Sequence, residues 1–431
     1  MNPLKLLLCF SVALAVPLAH SGPTIERWQT TSGARVFFVE NHALPILDVQ
    51  VDFAAGTARE REGRAGVAAL TRELIALGVA GMDETQIASR LADVGARLSG
   101  GVDMDRASLT LRTLSMADKR APALDVLRAI LSTPQFPADV FDREKARSVA
   151  ALKEALTRPE TLASRAFWSA MYPSHPYGRY ATPESVSALE RVDVVAFHSA
   201  NYTAPRATVA IVGDLSRTQA EALAEELAAA LPPAPGLAAI AVPELPAASE
   251  QRISHPAQQA HLLLGLPALK RGDPDFFALV VGNYSLGGGG FVSRLMKEVR
   301  DKRGLAYSVH SYFLPLAQPG PFQIGLQTKK AQADDALKLT REVLQGFLEQ
   351  GPSEDELQAA KQNLIGSFPL RLDSNRKILD SVALIGFYRL PLDYLDRYPE
   401  NIEQVSVADV KGAFSRHVRP QHLVTVIVGG E

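Results

Sequence analysis

The sequence predicts an α+β protein of two tandem, homologous α/β domains, each a sheet with helices packed on it. Three observations carry that prediction. The segment Arg206-Ala-Thr-Val-Ala-Ile-Val-Gly-Asp214 and the segment His422-Leu-Val-Thr-Val-Ile-Val-Gly-Gly430 both read as a strand ending in a turn, and Val212 and Val428 stand 216 residues apart. Lys145 and Lys361, on comparable helical stretches at 141–145 and 356–361, keep the same offset, and two signals at one offset indicate a duplication. Between the repeats, residues 231–246 hold five prolines and follow neither a helical nor a strand period, as a linker does. The expected division is 22–230, a Pro-rich linker at 231–246, and 247–431.

The first stretch in chain order is a secretion signal. Lys5 precedes an apolar run from Leu6 to Val16, too short to cross a bilayer comfortably, and small residues follow at Ala19 and Ser21. Residues 1–21 are therefore expected to be removed, leaving a periplasmic protein with no membrane segment. Cys9, the only cysteine, would leave with them, so the mature chain has no disulfide, thiol nucleophile or thiolate metal ligand. Its core has to hold it together, and 431 residues at 47% hydrophobic content allow that. A formal net charge of −2, with no long run of one sign, argues against nucleic acid as a partner.

Residues 35–39 and 46–53 read as strands, the second alternating inward and outward side chains, and 108–114 does the same. Asp273 before Pro274 marks a helix start, and Ser353-Glu-Asp-Glu356 is a capping box. Phe276, Phe277, Val280, Val281 and Tyr284 then recur at helical spacing, up to about Leu286.

Next comes the glycine run Gly287, Gly288, Gly289 and Gly290. Bare backbone of this kind lets another chain approach closely. It is not a phosphate loop, because a helix rather than a strand precedes it and no Gly-Lys-Ser/Thr follows. A helix–helix loop without a ligand fits the same residues. After it, Phe291, Val292, Leu295, Met296 and Val299 form one helical stripe that reads as core, with Arg300 on its flank and Gly304 as the C-cap. A strand from 305 to 313 would put Leu305, Tyr307, Val309, Ser311 and Phe313 on one face. Arg300 and Tyr307 could thus converge beside the glycines as a fixed cation and a hydroxyl donor. They equally suit an arginine on helix C-terminal carbonyls and a tyrosine packed in the core.

The glycine turn, Ser293-Arg-Leu295 and Arg300-Asp-Lys-Arg-Gly-Leu-Ala-Tyr-Ser-Val309 together resemble the second-half signature of the pitrilysin/insulinase family of zinc metallopeptidases, which includes mitochondrial processing peptidase and bacterial two-subunit homologues. The duplication, the Val-Gly-Asp strand end and Glu356-Leu-Gln-Ala-Ala-Lys361 fit over nearly the whole chain. The resemblance implies one half of a clamshell that closes on an unfolded peptide. It also implies that Arg300 and Tyr307 match an arginine–tyrosine pair lent to a partner's zinc site. Gly287–Gly290 fall where zinc-lacking processing-peptidase subunits carry a substrate-holding glycine loop.

The zinc motif departs from the family's pattern. In the matching stretch 63–78, the inverted His-x-x-Glu-His positions hold Ala69, Arg72 and Glu73, and the further glutamate falls at Ala150 or Ala151, with Glu154 a turn away. Alanine cannot ligate, arginine cannot act as a general base, and Glu73 alone cannot hold zinc. His42, His175, His198, His255, His261, His310, His417 and His422 offer no replacement, since none has Glu, Asp or His three or four residues later. No Gly-x-Ser-x-Gly elbow occurs, and His175-Pro-Tyr-Gly178 reads as a structural turn. The expected function is a non-catalytic subunit with no cofactor of its own, paired with a zinc-bearing homologous subunit and acting on unfolded peptide. Two alternatives remain open: a peptide-binding, chaperone-like module without proteolysis, and a purely structural subunit.

Overall fold

A computed structural model describes residues 22–233 and 238–429, so the expected signal segment lies outside the described residues. The first half builds a sheet from β1 (Glu26–Gln29), β2 (Arg35–Glu40), β3 (Ile46–Phe53), β4 (Arg97–Ser99), β5 (Ala107–Leu114) and β6 (Ala207–Gly213), in the order β1-β2-β6-β3-β5-β4. The second uses β7 (Ser249–Ile253), β8 (Gln259–Leu269), β9 (Ser308–Phe313), β10 (Gly320–Lys329) and β11 (Val424–Val428), in the order β9-β10-β8-β11-β7. Read from the other edge, the second order reproduces β2-β6-β3-β5-β4 strand for strand. The directions agree too: β2 with β6 and β7 with β11 are parallel, and the remaining corresponding pairs are antiparallel. The two lysines at the shared offset also do the same job, Lys145 Nζ donating to Leu189 O at 3.2 Å and Lys361 Nζ to Glu403 O at 2.5 Å. The duplication is structural as well as sequential.

Helices α1 (Val67–Leu74), α2 (Ala138–Ala155) and α3 (Pro159–Met171) belong to the first half, and α4 (Phe276–Asn283), α5 (Glu354–Gly366) and α6 (Asn375–Tyr388) to the second. The halves exchange helices. Helix α6 lies across β6, β3 and β2 of the first sheet, and α3 lies across β8 and β11 of the second. Glycines set how closely these helices approach. A Cβ on Gly386 of α6 would sit 2.6 Å from Cδ2 of Phe37 and 2.9 Å from Cγ2 of Thr208, and one on Gly265 of β8 would meet the Phe167 ring of α3 at 2.9 Å. The joint also has a polar centre at Asp105, 4% exposed, whose carboxylate accepts from Tyr177 Oη (2.6 Å), the Ala317 amide (2.8 Å) and Tyr388 Oη (2.9 Å). Tyr177 is fully buried and His175 bonds Ala241 O at 2.9 Å, so the His175–Gly178 turn is structural, as its sequence suggests.

The exchange overturns one expectation. Strand β5 alternates as predicted, but β3 does not. Its would-be solvent residues Asp48, Gln50 and Asp52 are 2%, 7% and 0% exposed, because α6 covers that face. Burial without partners would be costly, and each has one. Asp48 takes both arms of Arg112 (2.7 and 2.9 Å), Gln50 accepts from Thr110 and donates to Asp52, and Asp52 pairs with Arg106 at 3.1 Å.

Two measurements test this arrangement. Gly386→Val should lower unfolding free energy by about 1–3 kcal/mol, the usual cost of overpacking, in a denaturant titration. The second concerns pH. Burial pushes Asp52 up to about 6, against the opposing pull of Arg106, and pushes Glu60 up to about 7 despite the N–H groups of Ala68 and Gly66 on its carboxylate. Both folded values lie above the ordinary ones, so the folded state binds more protons between them. Their contribution to stability is full at about pH 4 and is lost as pH rises through 6 and 7. His198, which burial draws down to about 4, gives the opposite slope over the lower part of that window, so the carboxyl share is read by difference: relative to wild type, Glu60→Gln should remove the fall in stability that Glu60 contributes as pH rises toward 7.

Candidate functional site

Helix α1 carries the zinc-motif positions. Gly66, at φ +102°, turns the chain into it, and one oxygen of Glu60 accepts from Gly66 N (3.0 Å) and Ala68 N (2.9 Å), filling the start of the helix with a carboxylate. Val67, Ala68, Leu70, Thr71 and Leu74 are buried, which leaves Ala69, Arg72 and Glu73 together on the opposite face. Arg72 does not project from that face as a free cation. Its Nε donates to Ser108 O at 2.5 Å and its Nη2 to Ser99 O at 2.7 Å, tying α1 to β4 and β5, and burial draws its pKa down. Ala150 and Ala151 are exposed on α2, and Glu154 pairs with Arg158 at 2.6 Å. The donor set is one exposed carboxylate, Glu73. These residues do not fit a catalytic zinc ion.

Among the described residues, one other group has metal-ligand spacing: Asp273, Asp275 and His417. Sequence reading left His417 as a lone histidine, and only the fold places it here. His417 Nδ1 bonds Ala268 O at 2.9 Å, and its Nε2 lies 2.9 Å from Asp275, whose carboxylate also takes both arms of Arg416 at 2.7 and 2.8 Å. Asp273 accepts the Asp275 amide at 2.9 Å, as a helix-start carboxylate does. The cluster is an ion-pair joint between the start of α4 and the end of the helix Val407–His417.

The glycine run continues α4. Residues Tyr284–Gly288 form a wider turn closed by Gly289 N to Tyr284 O at 2.8 Å, one residue beyond the α-helical bond. Its first glycine serves packing. Gly287 is buried, and a Cβ there would lie 2.6 Å from the Ser311 amide on β9, the free edge strand of the second sheet. Asn283 seals the same edge by donating to Ser311 O (3.0 Å) and accepting from Ser311 Oγ (2.6 Å). Gly288 and Gly289 stand against Asn283 and Tyr284, while Gly290, at φ +60°, has open space around it. Exposed backbone is therefore confined to the rim formed by Gly288 and Gly290.

After Gly290 the predicted stripe breaks. Leu295, Met296 and Val299 are core, but Phe291 is 67% and Val292 52% exposed. Gly290 starts a tight turn that Ser293 Oγ closes on Gly290 O at 2.7 Å, so the helical period begins only at Arg294. Arg294 is structural, donating to Glu356 from both arms (2.6–3.1 Å) beside the Ser353 capping box and lying 5.1 Å over Phe347. Gly304, at φ +63°, accepts the C-cap role, its amide donating to Arg300 O at 2.8 Å.

Arg300 is half-buried and makes no ion pair or side-chain hydrogen bond among the described residues; its side-chain contact is the face of Phe291, 5.0 Å from the ring centroid. Tyr307 is 51% exposed, and its hydroxyl has no hydrogen-bond partner among the described residues. It does not share the buried face of Val309 and Ser311, because the strand begins at Ser308 and Tyr307 precedes it, its amide held by Gln327 O at 2.9 Å. The two lie at the two ends of one short loop, with no hydrogen bond or cation–ring contact between their side chains. Phe291 and Val292 stand outside the core that their helical spacing predicts, since apolar side chains at that spacing read as core.

Residues 35–182 match the family model described as Insulinase (Peptidase family M16), and residues 188–364 match that of the peptidase M16 inactive domain. A crystal structure of a peptidase M16 inactive domain from Pseudomonas fluorescens is similar at 39% identity and TM-score 0.91, over 94% of this chain and 98% of that one. A non-peptidase homolog, YmxG of Helicobacter pylori, is 25% identical over 92% of each chain. An uncharacterized zinc protease, Mb2805c of Mycobacterium bovis, is 28% identical over 96% of this chain and 95% of its own. The relatives thus carry both kinds of name, while the alanines and arginine on α1 and α2 set this chain with the inactive kind. With both halves matched, the chain belongs to the M16, or insulinase, peptidase family.

Proposed function

We propose that this chain is the non-catalytic subunit of a periplasmic, heterodimeric zinc metalloendopeptidase, lending Arg300 and Tyr307 to the zinc site of a homologous partner that cuts unfolded peptide. The observation that carries the reading is the contrast among arginines. Arg72 and Arg294 each commit Nε and Nη2 to the fold, whereas the Arg300 guanidinium and the Tyr307 hydroxyl donate to no group among the described residues. Both donors stand at the ends of one loop, and a peptide carbonyl that gains negative charge would use them. In the composite site the hydroxyl and the guanidinium would donate to the scissile carbonyl oxygen, and Gly288 and Gly290 would offer the rim of backbone to the substrate. A cleft of about 250 Å³ opens from Ser308, next to Tyr307, between α3 and the second sheet, with His261, His310 and Tyr312 in its wall. It gives a bound peptide side chain somewhere to lie. No described helix is long and apolar enough to cross a membrane.

A second reading, peptide holding without cleavage, draws on the exposed Phe291, Val292 and Tyr307. Co-expression with a zinc-bearing partner separates the two. The pair should cleave unfolded peptide in a chelator-sensitive way. Tyr307→Phe should lower turnover about 10²–10³-fold, the usual loss for one such donor, with assembly by gel filtration unchanged. Unchanged turnover overturns the composite site. Peptide affinity in the lone chain, with no cleavage by the pair, favours holding.

A further inference from the structure

Resting on that reading, we propose that Phe291 is a positioning residue for Arg300, holding the guanidinium by its face so that its edge stays free for a peptide carbonyl. A carboxylate partner would occupy the N–H groups that the peptide needs, as Glu356 does for Arg294. An aromatic face holds the flat cation from one side and leaves its in-plane donors open. The local structure is built to put a ring there. Gly290 adopts φ +60° where nothing crowds a side chain, so its glycine serves the backbone turn and not packing. The fully buried Ser293 pins that turn at 2.7 Å. The turn throws Phe291 outward to 67% exposure, where its ring gains little from burial yet stands 5.0 Å from the Arg300 guanidinium carbon.

The test uses the reconstituted pair, with Phe291 exposed enough for substitution without loss of folding. Phe291→Leu should lower kcat about two- to fivefold, the worth of one exposed cation–π contact, with KM little changed. Phe291→Trp should keep wild-type turnover. In an Arg300→Gln background, Phe291→Leu should have no further effect. In the lone chain, the Arg300 side-chain proton resonances should be ring-current shifted in the wild type and should move to ordinary positions in Phe291→Leu. If Arg300→Gln lowers turnover but Phe291→Leu does not, the positioning role is overturned and the composite site stands. The same losses in both backgrounds also overturn it, because Phe291 then acts on the substrate directly. If Arg300→Gln itself is silent, the composite site fails, and the resonance shift alone decides whether the ring holds the cation.

A second inference rests on a different observation. The Gly22 amide nitrogen lies 2.6 Å from Asp396 Oδ1, 374 positions away in sequence, and a Cβ at residue 22 would sit 2.8 Å from the same oxygen. The small residues of the cleavage-like motif are Ala19 and Ser21, directly before it. The geometry points to hydrolysis of the Ser21–Gly22 peptide bond by water in a signal peptidase. The product Ser21 leaves as a carboxylate, and the new Gly22 ammonium is captured by Asp396 as an ion pair. Intact mass and N-terminal sequencing of the exported protein should give Gly22 as the first residue, and any other start overturns the inference. Asp396→Asn should lower the melting temperature of the mature protein, and an unchanged value overturns the capture.

Discussion

The structure depends on the reciprocal exchange of helices α6 and α3 between the halves. Each sheet has its own helices on one face and the other half's helix on the opposite face. Neither half therefore has a finished core by itself. The main cluster of the second half includes Phe37, Val39, Ala210 and Val212 of the first, and Val424, Val426 and Val428 of the second pack with Phe167 and Trp168 of the first. Apolar burial on this scale is the dominant favourable term in folding, and here most of it at the joint crosses from one half to the other. With a single cysteine in the sequence there is no intrachain disulfide, and this interlock and the Asp105 centre hold the two halves together.

That interlock explains the placement of polar residues. Asp48, Gln50 and Asp52 tolerate burial because Arg112, Thr110 and Arg106 face them across the strands. Paired in this way, buried charges fix register as much as they stabilise. Arginine serves the same end elsewhere, with Arg72 holding α1 to the sheet edge and Arg294 holding the glycine-side helix to α5. Arg72, at the position to which the family resemblance assigns a general base, is a brace between α1 and the sheet edge.

The glycine run separates two roles that its composition merges. Gly287 lets the turn press on the β9 backbone, where a methyl group would collide with Ser311. Gly290 frees the chain to reverse and expose Phe291 and Val292. One end of the run is packing and the other is display. Arg300 and Tyr307 sit on the display side, at the ends of a loop anchored by Gly304 N to Arg300 O and by Tyr307 N to Gln327 O.

Much of this was legible in the amino-acid order. The duplication showed in Lys145 and Lys361 and in the two Val-Gly strand ends, because equivalent buried strands and anchoring lysines need the same residue types. The capping box at Ser353 and the C-cap at Gly304 were legible because they are local, set by a few consecutive residues. The absence of zinc ligands at Ala69, Arg72, Ala150 and Ala151 was plain from chemistry alone. Tertiary structure decided the rest. Periodicity could not show that β3 is covered on both faces, since the covering helix lies more than three hundred residues away. It also put Phe291 and Val292 in the core, because helical spacing is blind to one left-handed glycine upstream. Sequence alone determined which side chains carry donors and which positions lost their ligands. Only the fold decided which donors are spent on the protein itself and which stay free, because pairing depends on contacts between segments far apart in the chain.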